Sequence, residues 1–383
     1  MEKVKVPYNY LGYQFIPSGD LVRDILADIG KLVETGEFTL GPQVAEFEEK
    51  FAAMCGVKYA VGINSGTDSL TLILKALDIG PGDEVITAPN SFIATANVIA
   101  LVGAKPVFAD VDDEYLLDAG KVAEKVTEKT RAILPVHLTG NPVFMPEFTV
   151  GSFQFKKGGG WRGIFVIEDA AQAIGAEING KKVGNWGIAG EFSLHPLKNM
   201  NVWGDGGVVT TNNDELADKI RLLRNHGLAT RDECVIVAGN CRLHTIQAVV
   251  GLKLMPYVRE VSDERIKNAT LYDQLLKNVD GVTIPPRYPN KRQVYHTYVV
   301  QVERREQLIK FLADSGVETK VHYPIPIHLQ VPYRAMGYKE GNFPVCEAQA
   351  KKILSLPIHQ YLSTWQIQHT ADLIRAFYGA PAA

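Results

Sequence analysis

The sequence predicts an α/β fold: a mostly parallel seven-stranded sheet with helices on both faces, followed by a smaller C-terminal α+β domain. Three observations carry this. Short β-rich runs alternate with helical stretches between residues 59 and 211. The first connections, 67–77 and 92–102, have clear helical periodicity. Beyond about residue 256 the alternation changes character. A parallel strand pair needs a long crossover, usually a helix, so regular strand–helix alternation points to a parallel sheet. Ligands of such sheets gather at the carboxyl ends of the strands.

The elements follow in order. Residues 1–20 are mixed, hold Pro7 and Pro17, and are expected as an extended arm. Leu21, Ile25, Ile29 and Leu32 recur on one helical face, which predicts a helix over 21–34. Gly41-Pro42 breaks the chain, and Val44, Phe47, Phe51 and Met54 mark a second amphipathic helix. Strands are predicted at 59–63, 84–88, 106–109, 132–136, 164–167, 190–194 and 207–211. The segment 148–163 breaks the rhythm: alternating apolar residues and Gly158-Gly159-Gly160 suggest a short hairpin or loop where a crossover helix is expected. Its Lys156-Lys157 pair suits a solvated turn or a phosphate contact. Helices are predicted at 214–225 and from 242 toward 268, with a domain change near 256–262. The large domain is then 21–256 and the small one 257–383. In the small domain 295–302 and 317–322 are expected as strands, with helices at 306–315, 344–353 and 364–377. A loop through Pro324, Pro326 and Pro332 lies between them.

Composition excludes several classes. The chain has 383 residues, 46% hydrophobic and 22% charged, as expected of a soluble globular protein of two or three domains. A net charge of −3 gives no basis for nucleic-acid or acidic-membrane binding. Cys55, Cys234, Cys241 and Cys346 are scattered without metal-like spacing and suit reduced thiols. No apolar run reaches the roughly 18 residues of a membrane span, and no signal-peptide core follows Met1. The expected location is the cytoplasm.

One lysine organises the chemistry. Lys198 follows Ser193-Leu-His-Pro-Leu, and Gly204-Asp205-Gly206-Gly207 comes next, allowing close backbone passage. Asp169 ends the apolar run 164–167. A lysine after one strand and a carboxylate ending its neighbour suit pyridoxal 5'-phosphate, whose aldehyde a lysine binds and whose pyridine nitrogen a carboxylate keeps protonated. Asn64-Ser65-Gly66-Thr67 joins a strand to a helix and can form either a phosphate cup or an ordinary cap. Phe92 can stack on the ring or pack in the core. Asp169 and Gln172, three apart, can face one ligand. His195 and His226 suit structural roles, as Lys198 already provides a base. His328 is open between substrate contact and structure, and Cys241 suits a packed thiol.

The chain resembles the sugar aminotransferases of the DegT/DnrJ/EryC1/StrS family, within fold type I of the pyridoxal-phosphate enzymes. The resemblance runs from Gly36 to the C-terminus. It rests on Gly36-Glu-Phe38-Thr-Leu-Gly41-Pro42, Ser65-Gly66-Thr67, Glu168-Asp169-Ala-Ala-Gln172-Ala173, Ser193 to Lys198, Gly204-Asp-Gly-Gly207, Gly239-Asn240-Cys241-Arg242 with Gln247-Ala248, and Val321-His322-Tyr323-Pro324. It implies Lys198 as the Schiff-base lysine and proton shuttle, Asp169 on the pyridine nitrogen, and Gln172 on the phenolic oxygen. Gly66, Thr67 and Ser193 would hold the phosphate. Asn240 would reach the cofactor of a partner subunit, making a homodimer with shared active sites. Gly36, Phe38, Arg242, His322 and Tyr323 would lie near the substrate. Phe38 stands where relatives often carry Tyr, which removes a hydroxyl contact. The implied reaction moves an amino group from an amino acid, glutamate, to a nucleotide-linked keto-sugar, for glycan, lipopolysaccharide or antibiotic biosynthesis. A cyclitol ketone or a sugar without nucleotide is the alternative substrate. Sugar dehydration would want a histidine at 198, a desulfurase an exposed catalytic cysteine, and a non-catalytic regulator an added DNA-binding module.

Overall fold

The computed structural model describes residues 5–14, 19–149, 154–157 and 160–380. One sheet contains seven strands: β1 (Tyr59–Ile63), β2 (Glu84–Thr87), β3 (Lys105–Phe108), β4 (Thr130–Leu134), β5 (Phe165–Asp169), β6 (Ala189–Ser193) and β7 (Gly207–Thr211). Their spatial order is β1-β7-β6-β5-β4-β2-β3. Only β7 is antiparallel to its neighbours, lying between β1 and β6; the other pairs are parallel. The carboxyl ends of six strands therefore share one edge.

Helices cover both faces. Helices α1 (Gly19–Thr35) and α2 (Pro42–Cys55) precede the sheet. Next come α3 (Gly66–Ala76), α4 (Ala94–Leu101), α5 (Asp214–Leu223), α6 (Thr245–Leu254) and α7 (Val258–Leu276). Strand alternation divides the apolar side chains between the faces. On β7, Val208 packs with Phe47, Phe51, Phe192 and Ala248. Its neighbour Val209 packs with Ile73, Val98, Ile99 and Ile220. All five residues of β7 are buried, as a strand covered on both sides requires.

The C-terminal part holds a second sheet, β8 (Val282–Thr283), β9 (Tyr298–Val302) and β10 (Ile353–Leu356), antiparallel in that order. Helices α8 (Arg305–Asp314), α9 (Pro344–Lys352) and α10 (Thr364–Phe377) complete it. Its core joins Tyr272, Tyr298, Leu308, Leu354 and Ile374, and Val6 of the N-terminal arm enters it. The expected strand at 317–322 is not one: its backbone makes only the isolated bridges Val6–Val317 and Lys320–Ser355. The strand β10 went unpredicted because 353–356 follows directly on α9 without a breaker. Residues 242–244 lie outside the expected helix, since bridges from Arg242 to Ile63 and from His244 to Thr39 hold them extended. The 148–163 segment contains an antiparallel hairpin, Gln154–Lys157 with Gly160–Gly163; residues 150–153 and 158–159 lie outside the described residues. Lys156 and Lys157 belong to its first strand rather than to a turn.

The C-terminal part also returns to the large sheet. Tyr333, Tyr338 and Phe343 surround Phe108 of β3 with ring centroids at 5.5, 5.0 and 6.1 Å.

Candidate active site

The site is built at the shared carboxyl edge. Asp169 is the last residue of β5 and pairs in register with Glu191 of β6. Period-two alternation sets the preceding residue, Glu168, on the other face. There Glu168 accepts from the N–H groups of Gly184, Trp186 and Gly187 at 2.8, 2.7 and 2.9 Å, and His137 Nε2 lies 3.1 Å away. Glu168 thus shapes the loop before β6, while Asp169 faces the ligand edge.

Asp169 is 4% exposed and held by two donors. Thr95 Oγ1 donates to Oδ2 at 2.8 Å, and Ala171 N–H donates to Oδ1 at 3.2 Å. Ser91 Oγ lies 2.9 Å from Thr95 Oγ1. A carboxylate has about four acceptor positions, so an N–H from a ligand can still be accepted.

Gln172 comes one turn later. Its Oε1 accepts from Thr139 N–H at 2.8 Å, which leaves Nε2 as the free end, 3.4 Å from the Tyr323 hydroxyl. Tyr323 lies 5.9 Å from the ring of Phe92 and edge-on to His322 at 5.4 Å. Burial, then the Asp169 charge, pushes the Tyr323 phenol up to about 12. His322 Nδ1 lies 2.9 Å from Ser355 Oγ. Burial, then the charges of Lys198 and Lys320, brings the His322 imidazole down to about 4. Phe92 is 54% exposed, an open aromatic face at the edge.

The phosphate candidates meet at the start of α3. Ser65 caps the helix, its Oγ accepting from Asp68 N–H at 3.1 Å. The N–H groups of Gly66 and Thr67 head the first turn, where no intrahelical partner exists. Ser193, ending β6, faces Gly66: a Cβ on Gly66 would run into the Glu191 carboxyl and into Ser193. Gly207 allows equally close passage, since a Cβ there would strike the Ser65 carbonyl.

Lys198 sits in the turn beyond β6, with its N–H donating to His195 O at 2.9 Å. The arm covers this turn, the Tyr10 hydroxyl donating to Lys198 O at 2.5 Å. Burial lowers the Lys198 ammonium from its ordinary value, against the opposing pull of Glu191 and Asp169.

Asp169, Gln172, Phe92, Tyr323, His322, Ser193, Gly66, Thr67 and Lys198 are thus assembled along one edge. Gly36, Phe38, Asn240 and Arg242 share no hydrogen bond or ring contact with Lys198, Asp169 or Tyr323 among the described residues. Gly36 and Phe38 lie between α1 and α2, where Thr39 bridges His244. Arg242 Nη1 donates to Asn225 Oδ1 at 2.9 Å. Asn240 is exposed and bridges Asn225. His328 is a structural residue: it is buried, with Nε2 2.9 Å from Glu347 Oε1. Cys241 is half-buried, and burial raises its thiol.

Sequence reasoning missed Thr95, Glu191 and Tyr10. Thr95 could have been found as the residue one helical turn beyond Phe92. Glu191 is two residues before Ser193 on a strand, hence on the same face. Nothing local marks Tyr10.

The residues fit pyridoxal 5'-phosphate. Asp169 has capacity for a pyridinium N–H, the start of α3 offers unpaired N–H groups beside Ser193, and Lys198 is the nearby amine. Asn64 Oδ1 and both Glu191 oxygens are buried at this edge without hydrogen-bond partners.

Comparison with known proteins shows the family. The model of the DegT/DnrJ/EryC1/StrS aminotransferase family matches residues 20–375. The chain is 39% identical over 375 residues to the UDP-N-acetyl-3-dehydro-alpha-D-glucosamine 3-aminotransferase of Acidithiobacillus ferrooxidans, covering 98% of each. It is 39% identical over 358 residues to the pleiotropic regulatory protein of Geobacillus stearothermophilus, covering 93% of this chain and 94% of the other. The solved structure of Streptomyces venezuelae DesV in complex with a ketimine intermediate superposes with a TM-score of 0.91 at 34% identity, covering 98% of this chain and 99% of that one. With the type I fold of pyridoxal-phosphate transferases throughout, the chain belongs to the DegT/DnrJ/EryC1/StrS aminotransferase family.

Proposed function

We propose that this aminotransferase moves the amino group of L-glutamate to a nucleotide-linked keto-sugar and releases an amino-sugar. The observation that carries the reading is the placement of Asp169 at the end of β5 and of Lys198 in the turn beyond the adjacent parallel strand β6, near the start of α3. The nucleotide-linked substrate is supported by the relative named for a UDP-linked sugar.

Pyridoxal 5'-phosphate, the cofactor, supplies when bound an electron sink for the carbanion at the donor's α-carbon. Asp169 holds a proton on the pyridine nitrogen. Ser193 and the N–H groups of Gly66 and Thr67 hold the phosphate. Gln172 Nε2 donates to the phenolic oxygen, and Phe92 covers the ring. Lys198 Nζ would hold the cofactor covalently and, once the donor's amine displaced it, would as a free amine take the proton from the donor's α-carbon. Burial suits this by favouring its neutral form.

Gly36, Phe38, Arg242, His322 and Tyr323 serve the sugar, with Tyr323 and His322 at the division between the large domain (21–256) and the small one (257–383). The Gln172–Tyr323 contact across that division supports this placement. Asn240 serves the site of a second copy in a homodimer. Its exposure, with Val235 at 54% and Val237 at 96%, supports a covered surface there. We place the enzyme in the cytoplasm. Consistent with this, the four cysteines are all free, and no helix among the described residues is long and apolar enough to cross a membrane.

Purified protein mixed with pyridoxal 5'-phosphate should show the absorbance of a covalent lysine adduct, abolished in Lys198→Ala. With UDP- or dTDP-linked keto-sugars as acceptors, glutamate should then be turned over to 2-oxoglutarate as each sugar is aminated. Turnover of a free cyclitol ketone, with none of the nucleotide sugars, would overturn the substrate assignment.

A further inference from the structure

Glu191 is a buried carboxyl that the chemistry above does not use. It is 0% exposed, and neither oxygen has a hydrogen-bond partner. It sits on β6 in register with Asp169 of β5 and against Gly66 at the start of α3. Parallel neighbours in register project to the same face of a sheet, so two carboxyls lie side by side with one lysine nearby. Two adjacent buried carboxylates cannot both remain ionised at low cost. Two other buried charges have opposite partners: Arg224 pairs with Glu48, and Lys291 with Glu114 at 2.7 Å. The acid in the first turn of α3, Asp68, already lies 3.2 Å from Ser65 Oγ.

We propose that Glu191 is a positioning residue for Asp169: as a neutral acid it donates a hydrogen bond to the Asp169 carboxylate, and so sets how tightly that carboxylate holds the proton of the cofactor's pyridine nitrogen. The geometry leaves the acceptor free, since Asp169 uses only two positions, for Thr95 and Ala171. Burial, then the charge of Asp169, raises the Glu191 carboxyl well above the usual carboxylate range, against the pull of Lys198.

This inference rests on the proposed cofactor site, and two measurements separate the two. In the cofactor-free protein at neutral pH, difference infrared spectroscopy of wild type against Glu191→Gln should show the carbonyl stretch of a protonated carboxyl, present only in wild type. Its absence from wild type overturns the inference whatever the cofactor does. In the loaded protein, Glu191→Gln keeps a neutral donor and should leave the pH midpoint of the lysine-adduct absorbance near wild type. Glu191→Leu removes the donor. Asp169 then draws the ring proton toward itself and the ring becomes less electron-withdrawing. The midpoint should rise by about one unit, the scale of one hydrogen bond to a charged group. Equal behaviour of the Gln and Leu variants, or an unmoved midpoint in Glu191→Leu, overturns the inference. Failure of wild type to form the lysine adduct would instead overturn the proposed function.

Discussion

Asp169 works through donors that come from outside its own strand. Thr95 is 2% exposed and bonds Oδ2 from α4. Thr95→Val keeps the shape and deletes the donor. Hydrogen bonds to charged groups contribute about 1.5–3 kcal/mol, so cofactor affinity measured by equilibrium dialysis should fall by roughly tenfold or more. The histidines make a second residue-scale prediction. His322 and His359 are both brought down to about 4, chiefly by burial, while an unfolded histidine titrates near 6.5. Between these values the unfolded chain binds more protons, so stability is full above about pH 6.5 and is lost as pH falls toward 4. Glu191 has the opposite sign, its raised value costing stability as pH rises past the ordinary carboxylate range. His322→Gln should therefore flatten the acid side of a plot of Tm against pH; an unchanged slope would remove His322 from this account. Of these residues, Asp169 was legible in local sequence, and His322 was reached only through the family resemblance. Thr95 was not, because its role depends on α4 packing beside β5.

At the scale of elements, α3 carries two separable jobs. Ser65 caps it, and Ser65→Ala should cost about 1 kcal/mol of stability, read as a lowered denaturant midpoint. Gly66 gives the phosphate its approach, and Gly66→Ala puts a methyl against Glu191 and Ser193. That variant should lose cofactor binding in the same dialysis experiment, far more than its stability changes. The seven sheet strands were all legible, because each is a short apolar β-rich run bounded by turns or helical stretches. The pairing of 154–157 with 160–163 is one of the two forms, hairpin or loop, that the alternation and glycines of 148–163 suggest. Residues 317–322 have the same alternation yet form no strand, since their backbone meets only single bridges. Residues 353–356 form β10 without a boundary signal, because pairing with β9 overrides their continuity with α9.

For the whole molecule, the proposed homodimer makes its own prediction. Asn240 and its exposed valines lie on the surface beside β1, and among the described residues no hydrogen bond ties Asn240 to Lys198. Mixing inactive Asn240→Ala and Lys198→Ala protomers should restore activity, because a mixed dimer contains one site with both residues intact. No recovery on subunit exchange would argue that Asn240 acts within its own chain or not at all. The C-terminal part is likewise not a detached lobe. Tyr333, Tyr338 and Phe343 close around Phe108, and Val6 of the arm enters the small core. The arm also bonds the Lys198 turn through Tyr10.

The sequence by itself determined the sheet, the order of strand and helix, and the residues that end the strands. These are local properties: apolar periodicity, caps and glycine-bounded turns depend on neighbours a few residues away. It also marked Lys198, Asp169, Gln172 and Ser193, since each stands at a strand end or one turn beyond it. Only the tertiary structure decided that β7 runs antiparallel between β1 and β6, which places β5 and β6 side by side. That adjacency sets Asp169 against Glu191, brings Thr95 onto Asp169, and lays Tyr10 over the Lys198 turn. Contacts between residues 74 to 188 positions apart have no local signature; they exist because packed layers bring distant strand ends to one edge.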